Sequence, residues 1–220
     1  MFQTPTKKKA SERLWDCLSN ETPRPVSELQ SLPVPCCWAV TNVLTPSECR
    51  AVIERAEAQG FEPALLNVGG GQQILATDIR NSDRTIIDDE KFAQMLFERI
   101  RPFLPKQSSS LMAGLNERMR ILRYQPGHVF HPHMDGCYEH PDGAQISRYT
   151  LMIYLNEGFE GGSTVFHNTL DTVDFVPQTG SVLMFAHHLL HEGQELRKGT
   201  KYAIRTDVMF RIEYKQKHLY

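Results

Sequence analysis

The sequence has no long apolar run, no excess of charge of one sign and no regular cysteine spacing. No stretch of its 220 residues approaches the ~18 apolar residues that a membrane-spanning helix needs, so no membrane partner is expected. The formal net charge is −2, which offers no broad surface for a polyanion, and nucleic acid is not expected as a partner. The five cysteines, Cys17, Cys36, Cys37, Cys49 and Cys137, are odd in number, and two of them are adjacent. That is a poor basis for a disulfide framework, and a reduced, cytoplasmic setting fits it best. The N-terminus lacks the apolar core of a signal peptide. The Lys7-Lys8-Lys9 run reads as a solvated tail, with a nuclear address as the sharper alternative. What remains is ordinary globular composition, 40% hydrophobic and 23% charged, on a chain long enough for one large domain.

Residues 1–35 read as an N-terminal extension. A short helix over Ser11–Leu18 is followed by the breakers Thr22-Pro-Arg-Pro25 and Leu32-Pro-Val-Pro35. Residues 36–118 read as a helical support region of the same domain. After a strand at Trp38–Val43, Thr45 caps a helix with Pro46 at its first position and Glu48 completing a capping box; Gly60 ends it. Residues 62–82 read as a flexible loop and an extended segment. A second helix is expected over Glu90–Phe103, capped by Asp88 or Asp89, with Phe92, Met95, Leu96, Phe97 and Ile100 inward. From residue 119 to about 215 short strands alternate with turns: 119–125, 128–133, 148–155, 163–167, 172–176, 181–186, 189–192 and 201–212. Eight strands at this spacing, with helices only upstream, predict a mainly β (α+β) fold whose core is a sandwich or jelly-roll barrel. The polar loop after residue 136 is long enough to act as a lid over a site.

The candidate chemistry starts at Tyr124-Gln-Pro-Gly-His-Val-Phe-His-Pro-His133-Met-Asp135. On an extended strand His133 and Asp135 point to the same side and can reach one ion. Downstream stand His191 and, in Gly-Thr-Lys, Lys201. Two histidines and one carboxylate on one face of a metal form the facial triad of non-haem Fe(II) oxygenases, with positions left open opposite. Rival ligands exist. His131 shares the parity of His133, and His187 and His191 have the i, i+4 spacing of a helical zinc site, although the preceding Ser181–Ala186 reads as a strand. His128, His140, His167, His188 and His218 are taken as non-ligands. Lys201, Ala203, Arg205 and Asp207 share one face of the last strand by parity. The cysteines read as packing thiols.

The pattern Tyr124-x2-Gly127-x2-Phe130-x2-His133-x-Asp135, followed in order by Thr150–Asn156, Gly161-Gly162-Ser-Thr164-Val-Phe166 and His191-x9-Lys201, resembles the Fe(II)/2-oxoglutarate-dependent dioxygenases, most closely their prolyl 4-hydroxylase branch. The resemblance extends over roughly residues 36–212 and includes Arg80-x-Ser82. It implies a double-stranded β-helix with helices packed on one side. It also implies Fe(II) on His133, Asp135 and His191, with 2-oxoglutarate and O2 as cosubstrates and ascorbate as an auxiliary reductant. Lys201 stands where the family holds the distal carboxylate of 2-oxoglutarate, and Arg205 is a second or alternative anchor. Tyr124, Thr150, Tyr154 and Thr164 match positions that line or hydrogen-bond the cosubstrate in relatives. The implied activity is hydroxylation of an unactivated C–H bond, first of a prolyl residue in a protein or peptide, releasing succinate and CO2. A free amino acid or other small molecule is the alternative substrate, and a catalytically silent β-helix binding module the alternative class. The chain departs from the family at His128, at Glu192-Gly193 and in Tyr202–Asp207, where the collagen enzymes carry a tryptophan-rich run. These departures bear on the substrate rather than on the reaction.

Overall fold

The structure, a computed structural model, describes residues 13–18, 26–69, 72–104, 111–167 and 171–212. The Lys7–Lys9 run, the first breaker stretch, His218 and the last residues of the predicted core lie outside them. A 3-10 turn at Leu14–Cys17 precedes β1 (Leu29–Ser31), β2 (Cys37–Val40), α1 (Pro46–Gln59), β3 (Glu62–Pro63), β4 (Leu66–Gly69), β5 (Gln72–Ile74), β6 (Asp83–Asp88) and α2 (Glu90–Ile100). Then come β7 (Met112–Leu115), β8 (Arg118–Tyr124), β9 (Phe130–His133), β10 (Gln145–Tyr154), β11 (Glu160–Gly161) and β12 (Thr164–His167). The chain closes with β13 (Thr172–Phe175), β14 (Val182–Ala186), β15 (His191–Gly193), β16 (Leu196–Lys198) and β17 (Lys201–Arg211).

Two antiparallel sheets face each other as a jelly roll, the double-stranded β-helix. The major sheet runs β1-β2-β14-β10-β17-β8-β6-β3 with β7 also paired to β17, and the minor sheet runs β13-β12-β15-β9. β17 is central to the major sheet, and its two faces have different destinies. Ile204 and Val208 join Ile121, Leu151 and Ile153 under the helices, where Val52, Ala56, Phe92, Leu96 and Ile100 bury the outer face. Ala203 points the other way, into the space between the sheets with Tyr154, Phe166, Leu183 and Phe185. This two-residue alternation aims Lys201, Arg205 and Asp207 at the interior as well.

The helices are fixed as their sequence predicts. Thr45 Oγ1 accepts from the Glu48 amide and Glu48 accepts from the Thr45 amide, so two orphan donors of α1 are satisfied together. The same Glu48 carboxylate takes two hydrogen bonds from Arg99 at the end of α2, at 2.8 and 3.0 Å, and thereby ties α1 to α2. Asp89, the later of the two candidate caps, accepts from the Phe92 amide at 2.9 Å. Of the predicted inward residues of α2, Phe92, Leu96 and Ile100 are buried, while Met95 and Phe97 are only partly so. The N-terminal stretch contributes fully buried Leu14 to the helix-side core, and β1 pairs with β2.

The predicted loop at residues 62–82 holds the β4–β5 hairpin. The predicted lid after residue 136 is pinned at its base: the Ser147 amide donates to the Tyr138 carbonyl, the Tyr138 amide donates to the Ser147 hydroxyl, and Glu139 bridges Ile146. No helix among the described residues is long and apolar enough to cross a membrane.

Candidate metal and cosubstrate site

Strands β9 and β15 pair antiparallel with His133 opposite His191. Asp135 follows β9 directly, and its amide is fixed by the His187 carbonyl at 2.9 Å. One donor atom from each of His133, Asp135 and His191 lies within 4.8 Å of the other two. Asp135 is 3.8 Å from His133 Nε2 through one carboxylate oxygen and 3.7 Å from His191 Nε2 through the other.

The orientation of both rings is locked from behind. His133 Nδ1 is 2.8 Å from the His131 carbonyl, and His191 Nδ1 is 2.9 Å from the Leu189 carbonyl. A carbonyl only accepts, so each Nδ1 carries the proton and each Nε2 keeps its lone pair facing the other donors. Phe130 stacks on His133 with centroids 3.5 Å apart, and Phe185 meets His191 edge-on at 4.5 Å. Burial, helped by the neighbouring His191, pushes the His133 imidazole down to about 4, and burial lowers His191 likewise. Both rings are therefore neutral at neutral pH. Burial opposes ionisation of Asp135, but Arg205, then His191 and the Thr150 hydroxyl, outweigh it and hold the carboxyl well below the usual range. Two neutral imidazoles and one carboxylate on one side of a shared point suit a borderline divalent ion such as Fe(II).

A ring of polar groups holds Asp135 in place. The Thr150 hydroxyl donates to it, and Arg205 Nη2 lies 3.1 Å from Oδ1. Arg205 is shared with Asp207 at 3.3 Å, and His187 Nε2 lies 3.6 Å from the same Asp207 oxygen. His187 thus sits on Asp207 rather than with the three donors. His131 is exposed and gives the site its backbone carbonyl.

Lys201 has a different environment. It opens β17 opposite Tyr124 of β8, is 3% exposed, and donates to the Gly162 carbonyl. Its Nζ lies 5.2 Å from the Tyr124 ring centroid and 5.4 Å from that of Tyr154. Among the described residues no carboxylate pairs with it, and burial brings the amine down to about 7. Gly162 has φ +69°, and a Cβ there would stand 3.0 Å from Leu196 and 3.3 Å from the Lys201 stem, so glycine suits both the backbone and the space. Tyr154 is fully buried and shares a 2.7 Å hydrogen bond with the Thr164 hydroxyl, linking the two sheets beside Lys201. A buried amine without a counter-ion is costly, and a ligand carboxylate between Lys201 and the three donors would relieve it.

The structure thus gathers every sequence-predicted site residue on the facing surfaces of the two sheets. Lys201, Tyr124, Tyr154 and Thr164 cluster at one end of the β17 row, and Thr150 and Arg205 surround Asp135 at the other. The sequence reading missed two inward arginines, buried Arg84 and half-buried Arg120. Arg120 shares the strand parity of Tyr124, a signal that would have placed it inside.

Residues 119–206 match the family model of the 2OG-Fe(II) oxygenase superfamily. A putative prolyl 4-hydroxylase of Acanthamoeba polyphaga mimivirus is 26% identical over 189 residues, covering 75% of this chain and 70% of that protein. A PKHD-type hydroxylase of Idiomarina loihiensis is 24% identical over 166 residues, 75% of this chain and 73% of that protein. Among solved structures, the viral collagen prolyl hydroxylase of Paramecium Bursaria Chlorella virus-1, in complex with 2-oxoglutarate, aligns over 80% of this chain and 96% of its own at 24% identity and a TM-score of 0.56. A prolyl hydroxylase of Trichoplax adhaerens, in complex with a peptide fragment of hypoxia inducible factor, aligns over 79% and 83% at 17% identity and a TM-score of 0.59.

Proposed function

We propose that this chain, a 2OG-Fe(II) oxygenase of the prolyl-hydroxylase-like kind, hydroxylates a prolyl residue of a protein or peptide. In this reading His133, Asp135 and His191 hold Fe(II), and Lys201 receives the distal carboxylate of 2-oxoglutarate. Bound together there, the metal and cosubstrate supply the oxidising power: 2-oxoglutarate and O2 become succinate and CO2 as one oxygen atom enters the substrate C–H bond.

The chain's own contribution is orientation and dryness. The His131 and Leu189 carbonyls fix the two imidazoles by their Nδ1 protons. Thr150 and Arg205 fix the carboxylate. Tyr124, and Tyr154 with its Thr164 bond, wall the end of the site at Lys201 and exclude water from the ammonium. Arg205 is already engaged by two carboxylates, which favours Lys201 as the cosubstrate anchor and gives Arg205 the work of positioning Asp135.

The observation that carries the reading is the buried lysine without a carboxylate partner on the same inner sheet face that meets the three-donor group. The prolyl part rests on the relatives. Ascorbate as a reductant and a cytoplasmic or nuclear setting belong to the same proposal. Anaerobic titration with Fe(II) and 2-oxoglutarate should raise a metal-to-ligand charge-transfer band. Aerobic incubation with prolyl peptides should then add the mass of one oxygen. Absence of the band would support the silent binding module instead. A band with oxygen added to a metabolite but to no peptide would move the substrate to the small-molecule alternative.

A further inference from the structure

Four arginines surround the interior next to the three-donor group, with too few acids to match them. Arg120 of β8 stands opposite Arg205 of β17 on one side and Ile86 of β6 on the other. Arg84, two residues before Ile86, projects from the same face of β6. Arg80, which bridges to Phe130 of β9, lies with its guanidinium carbon 4.7 Å from the Phe130 ring centroid. Burial disfavours charge on Arg80 and on Arg120, and Arg84 and Arg205 add to this at both, so the four guanidiniums share one electrostatic neighbourhood.

Their hydrogen bonding is incomplete. Arg80 Nε donates to Ser82 at 3.0 Å, and Arg84 Nη2 donates to Gln73 at 3.0 Å. Arg80 Nη2, Arg84 Nε and Arg120 Nη1 are buried and have no hydrogen-bond partner. Two of these donors have a carboxylate nearby as an ion pair without a hydrogen bond: Glu62, itself largely exposed, is 3.5 Å from Arg84 Nε, and Asp207 is 3.5 Å from Arg120 Nη1. Asp207 also serves Arg205 and His187, and Asp135 faces the metal position. Arg80 and Arg84 are 7% and 5% exposed. A buried N–H without an acceptor is costly, so three of them in one place point to an acceptor that arrives with a ligand. The planar fork of arginine matches a carboxylate with two parallel bonds.

The geometry points to a substrate-carboxylate subsite formed by Arg80, Arg84 and Arg120: the prolyl unit to be hydroxylated is presented beside a carboxylate, which these guanidiniums bind. This inference rests on the prolyl reading above and narrows it. The carboxylate has two sources, an acidic side chain next to the proline or a free C-terminus. A neutral peptide would leave the three donors unsatisfied, and a site built around hydrogen bonds rejects the analogue lacking its partner strongly.

The test is anaerobic calorimetry with Fe(II) and 2-oxoglutarate, where binding is read without turnover. Four prolyl peptides differ only in Asp or Asn beside the proline and in a free or amidated C-terminus. At least one acidic form should bind about tenfold or more tighter than its neutral twin, and which pair differs identifies the source. Arg120→Met should shrink that ratio to within about twofold, and Arg120→Lys, which keeps the charge, should restore part of it. Arg84→Met gives an independent reading if Arg120→Met does not fold. Equal binding of all four peptides by the wild-type protein, or a ratio that survives both Met variants, would overturn the inference while leaving the prolyl reading standing. Loss of 2-oxoglutarate affinity in the Met variants with peptide discrimination intact would overturn it too, since the arginines would then serve the cosubstrate. If 2-oxoglutarate binds and no peptide does, the prolyl reading falls and takes the inference with it.

Discussion

Replacing Lys201 by methionine keeps the stem and removes the charge. The ligand-free protein holds this amine at about 7 by burial alone. The carboxylate of 2-oxoglutarate needs the ammonium form. Affinity should therefore be flat below pH 7 and fall about tenfold per pH unit above it, because charging the amine costs about 1.4 kcal/mol per unit. At pH 8 binding should take up close to one proton, visible as a dependence of the calorimetric enthalpy on the ionisation heat of the buffer. Stranding one member of a buried charge pair costs ~3–5 kcal/mol. At pH 8 the charging cost already present in the wild type offsets about 1.4 kcal/mol of that. The remaining ~1.6–3.6 kcal/mol corresponds to a loss of about fifteen- to four-hundredfold in 2-oxoglutarate affinity for Lys201→Met. The pH dependence should vanish with it.

Stability gives a second reading of the same group. The unfolded chain binds a proton that the folded, ligand-free chain releases, so Lys201 makes stability rise with pH from about 7 towards about 10, and Lys201→Met should remove that slope. Arg205→Met is the control. Its guanidinium is already held by Asp135 and Asp207, so its loss should weaken Fe(II) binding more than 2-oxoglutarate binding. A dissociation constant for Lys201→Met within threefold of wild type, or a larger 2-oxoglutarate loss in Arg205→Met, would refute the assignment.

Asp135→Ala should abolish Fe(II) binding and turnover with the fold kept, since the cores on both sides of the major sheet do not involve it; near-normal turnover in metal-controlled assays would show the ligand set to be wrong. Zn(II) or Ni(II) should displace Fe(II) and inhibit, because the Irving–Williams order favours both and neither supports the redox chemistry; turnover by Zn(II)-loaded protein would identify a hydrolase. Glu48→Ala removes half of a capping box and the carboxylate that takes two bonds from Arg99, whose side chain is 7% exposed and keeps its bond to the Val43 carbonyl, so unfolding free energy should drop by about 3–5 kcal/mol and Tm by roughly 10 °C with no change in metal affinity. A Tm shift under about 3 °C would mean that this pair contributes little.

The strands of the core were legible because each carries its own apolar pattern between turns. All eight predicted strands have counterparts, from Arg118–Tyr124 to Lys201–Arg211. Strand β6 was not legible, because Asp-Arg-Thr-Ile-Ile-Asp shows no alternation and its buried Arg84 looks like a surface residue in one dimension. β16 was hidden for another reason: of Leu196, Arg197 and Lys198 only Leu196 is buried, and the pairing with β11 that defines the strand is long-range. The three metal donors could be named from spacing. What held them could not, since the His131 and Leu189 carbonyls are backbone groups that any sequence possesses. The contrast between Lys201 and Arg205 needed the structure as well: parity puts both inside, and only the positions of Asp135 and Asp207 show that one is paired and the other is not.

The register that sets His133 opposite His191 has a mechanical side. Among the described residues β9 is the outermost strand of the minor sheet, with β15 as its one partner within that sheet. An ion held by both histidines would act as a removable cross-link between the two strands, closing the long intervening segment of chain into a ring. The entropy gained from restricting such a ring grows only slowly with its length, so most of the effect would be local, at the edge itself. Amide exchange should then report the clamp strand by strand, with β9 and β15 slowing on metal loading while β10 and β17, buried at the centre of the other sheet, keep their rates.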